Sequence, residues 1–241
     1  HAAIIRSGWS GRIVPTFRPD SVLNPERADF KDGFKQLQAL SDDNLGDFDS
    51  FLDALRKRRQ FFKTAGATAT DHDVPFLNAK PLSRPKIETL YQSVLSGTIM
   101  TDDARLFYGH MLVEMAGMSI DDGLVMQLHV GSARNTNAVL FDTYGADKGA
   151  DMPRAMNWVK GLEGLLNRYG NNPDLSVIVF TLDETTYSRE LAPMAGHWPC
   201  LKIGPPWWFH DSTNGIRRYL DRVVESAGYL HLAGFNDDTR A

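Results

Sequence analysis

The chain has 241 residues and a formal net charge of −4, with 42% hydrophobic, 10% aromatic and 23% charged side chains. That supplies enough apolar material for a sizeable core, and the charge balance argues against a nucleic-acid or anionic-membrane partner. The single Cys200 excludes an internal disulfide and points to a reducing, cytoplasmic setting, and no apolar run approaches the ~18 residues of a membrane span.

In chain order, the first apolar run is 12–17 (RIVPTF), read as a strand. A helix is predicted over 47–65, where Phe48, Phe51, Leu52, Leu55 and Phe62 share a face and Gly66 follows as a stop. Its basic run, Arg56 to Arg59, reads as a solvated face. A strand at 67–71 (ATATD) precedes helices at 84–96 and 101–118, the second opened by Thr101-Asp102-Asp103 as cap and acidic first turn. Met111, Met115 and Met118 recur at helical spacing as core positions, and His110 among them is assigned to structure. Next come a strand at 124–130 (LVMQLHV), a long polar loop at 131–151, and strands at 175–181 (LSVIVFT) and 200–204 (CLKIG). Cys200 opens the last of these as a buried structural thiol. The helix predicted at 215–228 buries Ile216, Tyr219, Leu220, Val223, Val224 and Ala227. It presents Arg217, Arg218, Asp221, Arg222 and Glu225 to solvent. The closing strand is 230–235 (LHLAGF), with His231 as a structural residue.

Short, continuous apolar runs alternating with amphipathic helices argue for an α/β fold whose parallel strands are buried on both faces. No boundary divides residues 1–241 into separate domains. A doubly wound open sheet and a (β/α)8 barrel both fit. No G-x-G-x-x-G or P-loop pattern follows any strand, which removes the usual nucleotide support for the open sheet. The barrel demands polar, chemically competent residues just past the carboxyl end of several strands.

The sequence meets that demand at every strand end. "FRPD" brings Arg18 and Asp20, and "TDHDVP" brings Asp71, His72 and Asp73. "LHVGSARNTN" carries His129, Arg134, Asn135 and Asn137, and "TLDETT" carries Asp183. "KIGPPWWFHDSTNG" carries Trp207 and Trp208, and "GFNDDTRA" carries Asp237, Asp238 and Arg240. Each has a structural alternative. Arg18 reads also as a surface turn, His72 as a capping or salt-bridged histidine, and His129 as a satisfied core histidine. Asp238 reads also as a helix cap, and the tryptophans as apolar plugs. Their agreement in position favours a shared site. A neutral imidazole and a carboxylate on separate strands can share one divalent metal. Arginines suit planar recognition of a carboxylate, and tryptophans suit the apolar face of a sugar. Adjacent residues of an extended chain point opposite ways, so one tryptophan of the pair faces ligand and the other packs.

Taken together, "FRPD", "TDHD", "LHVGSARNTN", "GPPWWFHD" and "GFNDDTRA" resemble the uronate (glucuronate) isomerase family of the amidohydrolase superfamily, in the family's order and spacing. The resemblance implies a distorted (β/α)8, TIM-type barrel. It implies interconversion of D-glucuronate with D-fructuronate or D-galacturonate with D-tagaturonate, with a small-molecule uronic acid as the partner. It also implies one divalent metal, zinc, which polarises a substrate oxygen or activates water. Carried over by motif, His129 and Asp238 fall at metal ligands, Arg18 and Arg240 match the family's substrate-binding arginines, and His72 matches a fourth-strand residue whose role the resemblance does not fix. On this reading His129, Asp238 and Arg240 take catalytic roles, and Arg18, Arg134, Trp207, Trp208 and His72 are assigned to substrate binding. The resemblance leaves room for a homo-oligomer.

Four departures accompany it. The family's His-x-His pair at the end of the first barrel strand is absent. By motif order the chain holds strands three to eight, which implies a fragment incomplete at both ends. Phe17 stands where a tryptophan is expected, and 145–153 (GADKGADMP) diverges. The rival readings are a metal-dependent hydrolase or deaminase of the amidohydrolase type, and a non-catalytic sugar-acid-binding protein.

Overall fold

The computed structural model describes residues 1–41, 44–146, 148–149, 151–205, 210 and 212–234. The helices are α1 Ala2–Arg6, α2 Asp20–Leu23, α3 Phe30–Ser41, α4 Phe48–Thr64, α5 Arg84–Ser96, α6 Thr101–Asp122, α7 Ala138–Tyr144, α8 Trp158–Tyr169, α9 Ala192–His197 and α10 Thr213–Ala227. The strands are β1 Ala69–Val74, β2 Val125–Val130, β3 Ser132–Ala133, β4 Met152–Pro153, β5 Val177–Thr181 and β6 Leu201–Ile203. A π-helical turn, Tyr187–Leu191, runs into α9, and a 3-10 turn, Tyr229–His231, follows α10.

The main sheet has order β1-β2-β5-β6 and every pairing is parallel. Parallel bridges Phe17↔Thr70 and Ile203↔Leu232 extend it at both edges. Space therefore follows chain order with no reversal. A doubly wound sheet must reverse to bind at its switch point, whereas a barrel advances in one direction. The six predicted strands are the arc of a TIM-type barrel.

Two of them shrink to single bridges. In 12–17, Pro15 has no N–H to donate to a ladder. Ile13 and Val14 are exposed and only Phe17 pairs, donating to Ala69 and accepting from Asp71. In 230–235, the 3-10 turn takes Leu230 and His231 out of extended geometry. Leu230 is 87% exposed, and the His231 ring meets the Leu201 carbonyl at 3.1 Å from the turn rather than from a strand. The loop expected at 131–151 holds structure of its own. β3 and β4 form an antiparallel ribbon around α7, and the Asn137 side chain caps α7 by accepting from Leu140 N–H at 3.2 Å.

The long helices start and stop for local reasons. Asp47 and Ser50 form a reciprocal capping box before α4. Ser212 caps α10, accepting from Gly215 N–H at 3.1 Å. α6 runs beyond the predicted 118 to Asp122 and stops at Gly123, whose φ of 72° suits only a residue without Cβ. Its N-cap is Met100 rather than a side-chain cap from Thr101, while Asp102 and Asp103 do occupy the acidic first turn. Helices α1, α2, α3, α7, α8 and α9 lie outside the predicted helical stretches.

The pleat divides the strands into two faces. Thr70, His72 and Val74 of β1 and Met126, Leu128 and Val130 of β2 are fully buried and alternate with half-buried residues. Strands buried on both faces are therefore not what β1 and β2 show. The buried face packs on the helices, where Phe48, Phe51, Tyr91 and Phe107 interlock with ring centroids 5.3–6.4 Å apart. Met111, Met115 and Met118 are core as expected. His110 is structural, its Nδ1 accepting from Leu82 N–H at 3.0 Å. Cys200 is buried, which pushes its thiol up to about 11 and leaves it unsuited to nucleophilic work.

The basic run at Arg56 to Arg59 is solvated only in part. Arg59 is 1% exposed. Its Nε donates to Asp122 Oδ2 at 2.6 Å, and its Nη2 donates to Asp122 Oδ1 and Ser119 Oγ, each at 2.9 Å. This bidentate pair ties α4 to the end of α6. His72 shares the helix-facing side. It is 0% exposed, its Nε2 meets Thr70 Oγ1 at 3.1 Å, and its Nδ1 has no hydrogen-bond partner among the described residues. Burial, with the nearby Arg59 charge, lowers its pKa to about 3.

Two outcomes follow for stability. Arg59→Met strands Asp122 and should cost about 3 kcal/mol in chemical denaturation, while Arg56→Met at the exposed Asp53 pair should stay within about 0.5 kcal/mol. For His72, the folded pKa lies below the unfolded value. Its neutral form therefore stabilises the fold above about pH 6.5, and that contribution is lost as pH falls from about 6.5 toward about 3. His72→Leu should flatten the acid limb of denaturation midpoint against pH in that window. An unchanged acid limb would show that His72 does not titrate there.

Candidate active site at the sheet's carboxyl edge

On the other face of the pleat, Asp71 and Asp73 of β1 stand beside Gln127 and His129 of β2, and the register pairs Asp73 with His129 and His129 with Phe180 of β5. His129 lies flat on Phe180, with ring centroids 4.4 Å apart and planes 4° from parallel. Its Nδ1 is 2.6 Å from Asp71 Oδ1. Burial works against the Asp71 charge, but the hydrogen bond from His129, with the charges of His129, Arg18 and His72, outweighs it and holds the carboxyl below its ordinary range. An ionised carboxylate only accepts, so Nδ1 carries the proton.

Arg18 follows the Phe17 bridge and reaches the same edge. Its Nε donates to Asp20 Oδ2 at 2.8 Å, and its Nη1 lies 3.3 Å from Asp71 Oδ2. With two sides of the guanidinium held, the side chain remains 51% exposed. Burial opposes the Arg18 charge, but the hydrogen bond to Asp20 and the charges of Asp71, Asp20 and Asp73 raise its pKa further. Asp20 is 4% exposed. Burial pushes it up to about 6 despite Arg18 and the Asp73 N–H, which donates to Asp20 Oδ1 at 3.0 Å.

Arg134 closes the cluster from the β3 side, with Nη1 3.3 Å from Asp151 Oδ2 and Nε 3.8 Å from Asp73 Oδ2. Asp151 is buried and accepts from Asn135 N–H at 3.3 Å. Among the described residues, Asn135 is the non-glycine residue with positive φ, at 55°. Tyr108 of α6 donates to the Asp73 carbonyl at 2.9 Å, fixing the end of β1 from the helix layer.

Of the sequence-predicted residues, the structure brings Arg18, His129 and Arg134 together. It does not bring His72 there, because its neighbours in the pleat, Asp71 and Asp73, take the site face and turn His72 to the helices. Asp183 is occupied locally, accepting from Thr185 N–H at 2.9 Å and Thr185 Oγ1 at 2.6 Å. Asn137 is spent on the α7 cap. Trp207, Trp208, Asp237, Asp238 and Arg240 lie outside the described residues. Beyond the tryptophans, His210 Nε2 lies 3.2 Å from the Leu182 carbonyl, and its Nδ1 sits 3.0 Å from Glu184 Oε2 at ion-pair distance without hydrogen-bond alignment. Glu184 also takes two hydrogen bonds from Arg218, at 2.9 and 3.1 Å.

Sequence reading gave no site role to Asp20, Asp71 or Asp73, although all three stood in the quoted motifs, and it passed over Phe180 and Asp151. Alternation along β1 could have assigned Asp71 and Asp73 to the face of His129. Nothing local marks Asp151. Among the described residues, no group of three or more His, Cys, Asp or Glu is placed to hold a metal. His129 gives its Nδ1 to Asp71, and the described residues alone do not make up a metal site.

Comparison with known proteins bears on the family and the fold. A family model described as glucuronate isomerase matches residues 1–241. Uronate isomerase from Rhizorhabdus wittichii is 52% identical over 241 residues, covering 100% of this chain and 52% of the relative. Uronate isomerase from Xanthomonas oryzae is 51% identical, covering 100% and 51%. The crystal structure of glucuronate isomerase from Caulobacter crescentus superposes with a TM-score of 0.94 at 50% identity, over 100% of this chain and 50% of that one. Uronate isomerase from Thermotoga maritima superposes at 0.89 with 26% identity, over 98% and 52%. The chain thus spans about half the length of the curated relatives it matches. With a family model along its whole length and relatives sharing half its residues, the chain belongs to the glucuronate isomerase family.

Proposed function

We propose that the protein is an aldose–ketose isomerase of uronic acids, interconverting D-glucuronate with D-fructuronate or D-galacturonate with D-tagaturonate. The observation that carries this reading is Arg18: a half-exposed guanidinium held on two sides by Asp20 and Asp71, beside a histidine of fixed proton position. A uronic acid offers a planar carboxylate at C6, and an arginine whose orientation is already fixed binds it at little further entropic cost.

Aldose–ketose isomerisation moves a proton between C2 and C1 through an enediol, so the site must anchor the sugar, accept and return a carbon-bound proton, and stabilise an enediolate oxygen. Arg18, with Arg134 on the far side of Asp73, anchors the C6 carboxylate. The flat His129 ring, backed by the buried Phe180, offers its face to the sugar, and in this reading Trp207 or Trp208 supplies another wall. Asp238 moves the proton and Arg240 stabilises the developing charge. The family's divalent metal, zinc in this proposal, would polarise a substrate oxygen when bound. His129 and Asp238 are the residues of this chain assigned to it, and the described residues alone do not complete its ligands. A metal-dependent hydrolase or deaminase would need no paired carboxylate-binding arginines, and the family match along 1–241 also weighs against it. Among the described residues no helix is long and apolar enough to cross a membrane. Cytoplasmic operation is proposed from the single, buried, unpaired cysteine.

The test is ketose formation from glucuronate and galacturonate by the native protein. Arg18→Met removes a charge-assisted contact worth about 1.5–3 kcal/mol and should lower kcat/KM by roughly ten-fold or more, with the melting temperature nearly unchanged. Loss of folding and activity together would return Arg18 to a structural turn. Asp238→Asn should remove most turnover while leaving substrate binding measurable. Wild-type turnover that is unaltered by exhaustive metal removal would overturn the metal assignment.

A further inference from the structure

Asp71 touches two of the site residues that the sequence had singled out, His129 and Arg18, and does so with different oxygens. Oδ1 accepts from His129 Nδ1 at 2.6 Å, and Oδ2 faces Arg18 Nη1 at 3.3 Å. The carboxylate is 15% exposed as a side chain, so bulk water has little access to compete for either contact. Neither partner is positioned by Asp71 alone. Phe180 fixes the plane of the His129 ring, and Asp20 fixes the Nε edge of Arg18. Asp71 bears on what those contacts leave to be set: which nitrogen of the flat imidazole carries the proton, and the rotation that aims the outer edge of a guanidinium hinged at Nε.

We propose that Asp71 is a positioning residue that couples the two functions of the site, setting the proton position on His129 with one oxygen and aiming Arg18 at the substrate carboxylate with the other. The proposal rests on Arg18 and His129 being site residues, and it gives a role to a residue that sequence reading left without one. With Nδ1 protonated, the lone pair of the neutral ring lies on Nε2, the nitrogen on the far side from Asp71. An Arg18 that rotates toward bound carboxylate does so against Asp71, so occupancy at one end of the pair is felt at the other.

The experiment uses the native protein with Asp71→Ala, Asp71→Asn, Arg18→Met and the Arg18→Met/Asp71→Ala double variant. Proton–nitrogen spectra of the histidine rings, with His129 identified by its loss in His129→Asn, report the Nδ1 proton directly. In the wild type it should be a strongly hydrogen-bonded, downfield signal. Asp71→Ala should abolish that signature, and Asp71→Asn, whose amide oxygen still accepts from Nδ1, should keep it. An unchanged His129 spectrum in Asp71→Ala overturns the histidine half of the proposal. For the arginine half, Asp71→Asn turns an amide N–H toward Arg18, so KM for the uronate should rise about 10-fold or more with kcat less affected. An unchanged KM overturns it. For the coupling, Asp71→Ala and Arg18→Met should each cost about 10–100-fold in kcat/KM, and the double variant should lose clearly less than their product. Losses that multiply fully overturn it. If Asp71→Ala fails to fold, Asp71→Ser carries the histidine and coupling measurements in its place. The spectra need no substrate, so a wild type inactive on uronates would defeat the isomerase reading while leaving the histidine half separately decided.

Discussion

Everything functional in this chain depends on the pleat of a parallel ladder. Successive residues of β1 point to opposite sides, and the register with β2 and β5 carries that division across the sheet. One side is committed to the helices by its aliphatic content: Val74, Met126, Leu128, Val130, Val177 and Val179 are fully buried there. The opposite side must then take Asp71, Asp73 and His129. A slip of one residue would drive those charged groups into the helix layer and place valines at the site edge. Core and site are therefore specified by the same periodicity and cannot vary independently.

The helix layer holds the ladder's position. α6 contributes Met111, Met115 and Met118 to the core, offers Tyr108 to the Asp73 carbonyl, and ends in the Asp122 that receives Arg59 from α4. Arg59 also places its guanidinium 5.9 Å from the Phe17 ring, so the residue just before Arg18 packs against the fastening between the two helices. Rigid elements thus position the end of β1 and the Phe17 bridge from behind, while the polar contacts of the site are made in front. Sites supported this way keep their geometry better than sites carried on loops alone.

The charged cluster at the edge is arranged with alternating sign: Arg18 between Asp20 and Asp71, Arg134 between Asp73 and Asp151, with the other oxygen of Asp71 facing the N–H of His129. Burying carboxylates is costly unless each has a cation or N–H to face, and here each does. Asp20 shows the remaining cost, since burial lifts it to about 6 even with Arg18 bonded to it. The left-handed Asn135 beside Arg134, held by Asp151, is a further local strain at the same edge. A site of this kind is prepared for an anion before the anion arrives, because the hydrogen bonds that orient its cations are already made.

The sequence by itself determined the class of fold, the strand centres, four of the long helices and three members of the site. Those depend on local signals: hydrophobic period, capping residues, glycine stops, and polar residues just past apolar runs. It misjudged what depends on partners elsewhere in the chain. Run 12–17 has strand composition, but Pro15 and the absence of a full ladder reduce it to the Phe17 bridge. Arg59 sits in a basic run indistinguishable from a solvated face until α6 brings Asp122 to it. His72 and His129 both stand near the carboxyl ends of strands and both looked chemically competent. The pleat, anchored by residues on other strands, turned His72 inward among helices and left His129 facing Asp71. Asp151 carries no local mark, because its significance is a hydrogen bond to Asn135, sixteen residues earlier. Period and spacing along a chain report which residues could act. Which of them do act depends on which way each side chain faces once distant strands have paired, and only the tertiary structure decides that.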